Sequence, residues 1–377
     1  MALTYEKVSG SYIPDDIAIC ILSKLPVKSI KRFTCVRKPW SLLFKNVTFL
    51  TMFRNNLVSK SHSLYDDDDD DVCLIFNWFL VPSMLYMLLG ERFANKVKLD
   101  PLPPYDHLPS GDFLLHILGY AINGIICFFN CFDHRNVVLW NPTIKEIKAV
   151  PPNLTNASIL HAFGYDHVRD DFNVIRRSYC DLSDDESLED VFMPPDFWEI
   201  YSLRSNSWRK LNTNISIPYF SPLGSEVYLN GVCHWLANTK DQTFVVSFNL
   251  CNDVFSTTPI DGYDVFSVRL VVLNESLAII TKYDNATSFN ISILGEIGVK
   301  ESWTRLFDIG PLSSVEHFIA AGKKGNIFFN KKDGKIACFD LTTRMTEEID
   351  IKGEGHSRCC QIVIYKKNLY PIEGINY

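Results

Sequence analysis

The chain has 377 residues, 47% hydrophobic, 13% aromatic and 21% charged, with a net charge of −7. Length and composition fit a globular chain of one small module plus one large domain, or of two ordinary domains, and the aromatic content favours β structure. The acidic balance excludes nucleic-acid binding by bulk electrostatics, and eleven scattered cysteines with no C-x-x-C pair exclude the spacing of a structural zinc site.

Residues 1–12 are expected to be a loose N-terminus. MALTYEKVSGSYIPDD has no apolar centre and does not read as a signal peptide. Free thiols in a reducing compartment, the cytoplasm and/or nucleus, follow as the expectation. Residues 13–53 then change character. Pro14 suits the first position of a helix, and Asp15 and Asp16 suit its positive end. Ile17, Ile21, Leu22 and Leu25 recur at helical spacing. Pro26 ends that helix and opens a second, with Val27, Ile30, Phe33 and Val36 on one side and Lys28, Lys31 and Arg32 on the other. Pro39 breaks it, and Trp40 follows. Forty residues are too few to bury a core alone. Yet the apolar set covers more than one helix face, so other surface must cover part of it: the rest of this chain, or a partner. The segment holds seven Lys/Arg against Asp15 and Asp16, a net +5, which leaves −12 on the remainder.

In order, spacing and residue type, Ile13-Pro14-Asp15-Asp16, Ile17 to Ile21, Leu25-Pro26-Val27-Lys28-Ser29, Phe33, Val36 and Trp40 resemble a plant-type F-box. That family's module is a small helical unit that docks on a Skp-type adaptor, and through it on cullin and RING subunits of a ubiquitin ligase. The resemblance implies adaptor binding by Pro14, Ile17, Ile21, Leu25, Pro26, Ile30, Phe33 and Trp40. Skp-type adaptors are acidic as a family, so a basic module fits them. Arg37 and Pro39 depart from the usual pattern.

Residues 54–71 read as a linker: a polar connector from Arg54 to Tyr65, then six consecutive aspartates, Asp66 to Asp71, which repel one another and stay solvated. From 72 to 372 the pattern is short and β-rich. Val72 to Leu89 is the most apolar run, but Asn77, Pro82 and Ser83 interrupt it, so two buried strands are expected rather than a membrane span. One unit recurs: a strand, a polar turn, and a second strand that often begins with a large apolar residue. Copies start at Val137, Trp198, Phe244, Asn290 and Lys335, the last four 46, 46 and 45 residues apart. The first gap, 61, contains an acidic insertion at Cys180 to Asp196. A further strand precedes most copies. A period near 45 with about four strands marks a β-propeller blade, since a four-stranded sheet cannot cover its own faces and must stack on neighbours. Cys360 to Ile372 is expected to close the ring against early chain.

LWNPTIKEIKAVPP, FGYDHVRDDFNVIRR, IYSLRSNSWRKL, VYLNGVCHWLA and GVKESWTRLFDIG resemble the F-box-associated domain of plant F-box proteins. Tyr201 and Trp208 keep a degenerate kelch spacing, and a looser likeness is to S-locus-F-box-like proteins, whose self-incompatibility role is not carried over. The implied fold is α+β multidomain: a small N-terminal helical F-box followed by an all-β, propeller-like F-box-associated domain.

No G-x-S-x-G, P-loop, H-E-x-x-H or G-x-G-x-x-G pattern is present. His161, His167 and His234 read as structural residues, and Asp166, Asp170 and Asp171 as a capped turn. Trp140, Trp208, Trp235 and Trp303, placed within the repeat, read as packing between blades. The expectation is a non-catalytic substrate-recognition subunit with no cofactor or metal, an unidentified target protein, and neither a membrane nor a nucleic acid as partner. The alternatives are a β-propeller glycan-processing enzyme and a binding module outside any ligase.

Overall fold

The computed structural model describes residues 13–25, 27–36, 40, 43, 46–63, 72–78, 84–89, 95–99, 114–152, 158–179, 196–213, 226–263, 265–282, 288–312, 315–322, 325–352 and 360–372. Residues 1–12, Pro26, Arg37, Pro39, the Asp66 to Asp71 run and the insertion from Cys180 up to Asp196 lie outside them.

Three helices form the head. α1 (Asp15–Leu22) starts one residue later than the sequence implies. Pro14 is extended, with ψ 144°, and caps the helix while its carbonyl accepts from Ala18 N at 2.9 Å. α2 (Val27–Thr34) follows. α3 (Val47–Ser63) overrides the expected linker: the chain stays helical for ten residues past Phe53. Asn46 caps it, its Oδ1 accepting from Phe49 N at 3.0 Å. Phe49 and Phe53, one turn apart and buried, stack at 6.0 Å. No Gly or Pro interrupts residues 54–63, and Asn56 Nδ2 donates to Ser23 Oγ at 2.7 Å, tying α3 to the end of α1.

The β-rich part is a six-bladed propeller, each blade a four-stranded antiparallel sheet. Blade 1 holds β1 (Val72–Trp78), β2 (Met84–Leu89) and β3 (Asn95–Lys98). Blade 2 holds β4 (Leu115–Ile117), β5 (Ile126–Asn130), β6 (Asp133–Asn141) and β7 (Glu146–Ala149). Blade 3 holds β8 (Ser158–Asp166), β9 (Asp171–Tyr179), β10 (Asp196–Ser202) and β11 (Ser207–Lys210). Blade 4 holds β12 (Val227–Leu229), β13 (Val232–Asn238), β14 (Thr243–Asn249) and β15 (Val254–Ile260). Blade 5 holds β16 (Val268–Leu273), β17 (Ser276–Lys282), β18 (Phe289–Leu294) and β19 (Trp303–Ile309). Blade 6 holds β20 (Val315–Ala321), β21 (Asn326–Lys331), β22 (Lys335–Asp340) and β23 (Thr346–Lys352). β24 (Cys360–Lys366) returns to pair with β1 and supplies the first strand of blade 1, the expected closure.

The repeated phrase is the third and fourth strand of each of blades 2 to 6. Its polar residue caps the turn between them: Asn141 Oδ1 accepts from Thr143 N, Asn249 Oδ1 from Cys251 N, and Asp340 Oδ1 from Thr342 N. The turns end on Lys145, Asn206, Asp253 and Arg344, all left-handed at φ 50–59°.

Blades bury their faces against one another. Trp140 lies in the apolar seam of blades 1 and 2, Trp208 against that of blades 2 and 3, Trp235 between blades 3 and 4, and Trp303 against the seam of blades 4 and 5. Two of them also bind the preceding blade: Trp208 Nε1 donates to the Pro151 carbonyl at 2.8 Å, and Trp303 Nε1 to the Pro259 carbonyl at 3.1 Å. Tyr201 and Trp208 pack at 5.5 Å. On the axis, Tyr120 of blade 2 crosses to blade 5, its hydroxyl accepting from Val272 N at 3.1 Å. The ring and the head share a core: Leu22, Ile30, Leu43, Phe49 and Phe53 are buried in one cluster with Ile291, Ile293, Phe329 and Phe339 of blades 5 and 6.

Candidate docking face of the helical head

The head carries apolar residues on two sides of one short helix. Ala18 and Leu22 of α1 face inward and are buried. Ile17 and Ile21, four residues apart on an adjacent face, are 49% and 50% exposed, and Ile13, just before the N-cap, is 55% exposed. Phe33 of α2 and Val36 just beyond it are also exposed, with Phe33 packed edge-on against Trp40 at 6.0 Å. Exposed Asp15, Asp16, Lys24 and Arg32 lie among them. Soluble proteins scatter single apolar residues over their surfaces, but these five, with Val47 of α3 a sixth, are a concentration that marks interaction sites in a head of this size.

The eight residues implied to bind an adaptor divide by burial. Pro14, Ile17, Ile21 and Phe33 are exposed. Leu25 and Trp40 are half-buried against the shared core. Pro26 lies outside the described residues. Ile30 is fully buried: α2 runs beside β18, and position 30 lies in the head–ring core rather than on the surface. Ile13 and Val36 join the exposed set. Both belong to the phrases that resemble the F-box, and Val36 was read on the apolar side of the second helix.

The ring's chemistry-bearing residues are engaged in structure. Asp166 Oδ1 accepts from Val168 N at 2.8 Å and Arg169 N at 3.2 Å, while Arg169 Nη1 donates to Oδ2 at 2.8 Å, closing the β8–β9 turn. Arg176 is buried, paired with Glu199 at 2.7 Å and stacked 3.8 Å over the Trp208 ring. Burial pulls its pKa down and Glu199 opposes that. Among the described residues no group of three His, Cys, Asp or Glu is placed to hold a metal ion.

His161 packs in a triangle with Trp198 and Trp235, with ring centroids 4.8 and 5.5 Å away and the two tryptophans 5.7 Å apart. Burial first, then Arg177, pulls its pKa down to about 3. His234, whose Nδ1 meets Ser247 Oγ at 2.7 Å, is pulled down to about 3 by burial. Both rings are neutral in the fold, and both charge near pH 6.5 once unfolded. Between pH 6.5 and 3 the unfolded chain therefore binds protons that the folded chain does not. Stability is full above 6.5 and falls as pH drops, by about 1.4 kcal/mol per pH unit per histidine. His161→Phe is expected to remove about half of that slope, read as the denaturant midpoint at pH 7.5 and pH 5. An unchanged slope contradicts the assignment.

A family model described as the F-box associated beta propeller domain matches residues 115–372. The chain is similar to the F-box/kelch-repeat protein At3g23880 of Arabidopsis thaliana, 24% identical over 323 residues that cover 82% of this chain and 83% of the relative. It is also similar to the F-box protein CPR1 of the same plant, 22% identical over 387 residues, covering 93% of this chain and 87% of the relative. Among solved structures it resembles TolB from Acinetobacter baumannii, with a TM-score of 0.49 and 8% identity over 83% of this chain and 72% of that one.

Proposed function

The chain belongs to the F-box-associated β-propeller family, and on that basis we propose that it is the substrate-recognition subunit of an SCF-type ubiquitin ligase. The head binds a Skp-type adaptor, which brings cullin and RING subunits. The propeller holds a target protein for ubiquitination and proteasomal degradation. The observation that carries this reading is the Ile17, Ile21 pair, left exposed on a helix that already buries Ala18 and Leu22, with Ile13 exposed just before its N-cap. The chain's share of the mechanism is proximity. It breaks no bond itself, but tethers a target near a separately charged enzyme and so raises the effective concentration of acceptor lysines. Nucleic acid and membrane are not among the proposed partners.

We place it in the cytoplasm or nucleus. Cys73 and Cys338 are free, and burial raises their thiol pKa values to about 11 and about 12, which suits reduced, unreactive thiols.

Co-expression of the full chain with a Skp-type adaptor is expected to yield a complex that survives affinity capture and size-exclusion chromatography. Folded protein that elutes free of adaptor at micromolar concentration sinks the reading.

A further inference from the structure

Ring closure does not end with β24. Residues 367–372 continue from blade 1 across blade 2 to the seam of blades 2 and 3. The Asn141 side-chain amide donates to the carbonyls of Asn368 at 2.9 Å and Tyr370 at 2.8 Å. Ile372 N donates to Glu146 Oε2 at 2.7 Å, and the Ile372 side chain is 1% exposed in the apolar cluster of blades 2 and 3. The Tyr370 ring packs edge-on against Phe172 of blade 3 at 5.3 Å. Gly124, at φ +78°, leaves the gap the segment needs: a Cβ there would lie 2.6 Å from that of Asn368. Thr143 Oγ1 meets the Tyr365 hydroxyl of β24 at 2.6 Å. Asn141 and Thr143 belong to the LWNPT phrase of the repeat. In blade 2 that phrase does more than cap its own turn, because its free amide hydrogens hold the returning chain.

We propose that residues 367–372 are a latch on the ring. Docked, they pin blade 1 to blades 2 and 3 by bonds that the β24–β1 ladder does not supply. Undocked, they leave the join between the last strand and the first blade as the first place the ring opens. The physical ground is the contrast within the segment. One buried side chain anchors its end, while Leu369 is 74% exposed and the Asn368 N–H meets Thr143 Oγ1 at the surface. Such segments open at lower free energy than ladders inside a sheet. The latch is independent of whatever the head binds.

Asn141→Asp keeps the Oδ1 acceptor that caps the turn and sets an oxygen against the two strap carbonyls. Amide exchange of the full chain is the readout. In this variant the amides of β24 and β1 are expected to exchange roughly tenfold faster, while those of β13 and β14, across the ring, keep their wild-type rates. Ile372→Asp is expected to do the same more strongly, and Leu369→Ala to change nothing. Glu146→Ala removes one peripheral bond, so it stays measurable should the others not fold, and must show the same pattern at smaller amplitude. Acceleration spread evenly around the ring, or unaltered rates in β24 and β1, overturns the latch.

Discussion

Replacing Ile17 and Ile21 together by aspartate is expected to abolish adaptor capture while leaving the fold intact. Both side chains are about half exposed on one side of α1, so in the free chain a carboxylate at either position stays in water. Surface changes of that kind move stability by about 0.5 kcal/mol or less. In a complex the same positions are desolvated against the partner. Loss of two central apolar contacts costs about 2 kcal/mol each, or roughly a thousandfold in Kd. The measurement is binding by calorimetry or biolayer interferometry beside a thermal melt. Retained affinity means that the exposed row is not the docking face, and a collapsed melt means that it was never surface.

The opposite outcome is expected one helix later. Ile30→Asp places a carboxylate where the native side chain has no exposure, in the cluster joining the head to blades 5 and 6. The change forfeits about 2 kcal/mol of apolar burial and adds several more for an unpaired buried charge. The head is then expected to leave the ring, exposing Phe49 and Phe53 and admitting protease within α1 to α3. Ile30→Val, which removes one methyl group, should cost only about 1 kcal/mol. Adaptor binding is lost in both aspartate variants, but only Ile30→Asp should lower the melting point and accelerate cleavage of the head. A wild-type melt for Ile30→Asp would show that the head does not depend on the ring. Ile17 and Ile21 against Ile30 thus set an exposed row beside a buried seam within one short module.

Much of this is legible in consecutive residues. A 45-residue step with a polar turn and a leading tryptophan can be read because each blade solves the same local problem: a turn that Asn, Asp or Ser caps and a sheet face that a neighbour must cover. The end of the helical module was not legible. Asn46 as a cap and the Phe49, Phe53 pair were in plain view, but the polar residues after Phe53 read as connector, since what keeps α3 helical is packing on α1 and the ring. Ile17 and Ile30 carry the same side chain at helical spacing, and nothing local distinguishes the one left in water from the one in the core.

Primary structure alone establishes a helical head too small for its own apolar surface, followed by repeated four-stranded units, because helical periodicity and turn chemistry are short-range and written in neighbouring positions. Which apolar residues remain open, that six blades complete the ring, and that residues 368–370 cross to Asn141 were settled in three dimensions. Those outcomes depend on surfaces brought together from distant parts of the chain, and burial is a property of both partners to a contact rather than of either stretch alone.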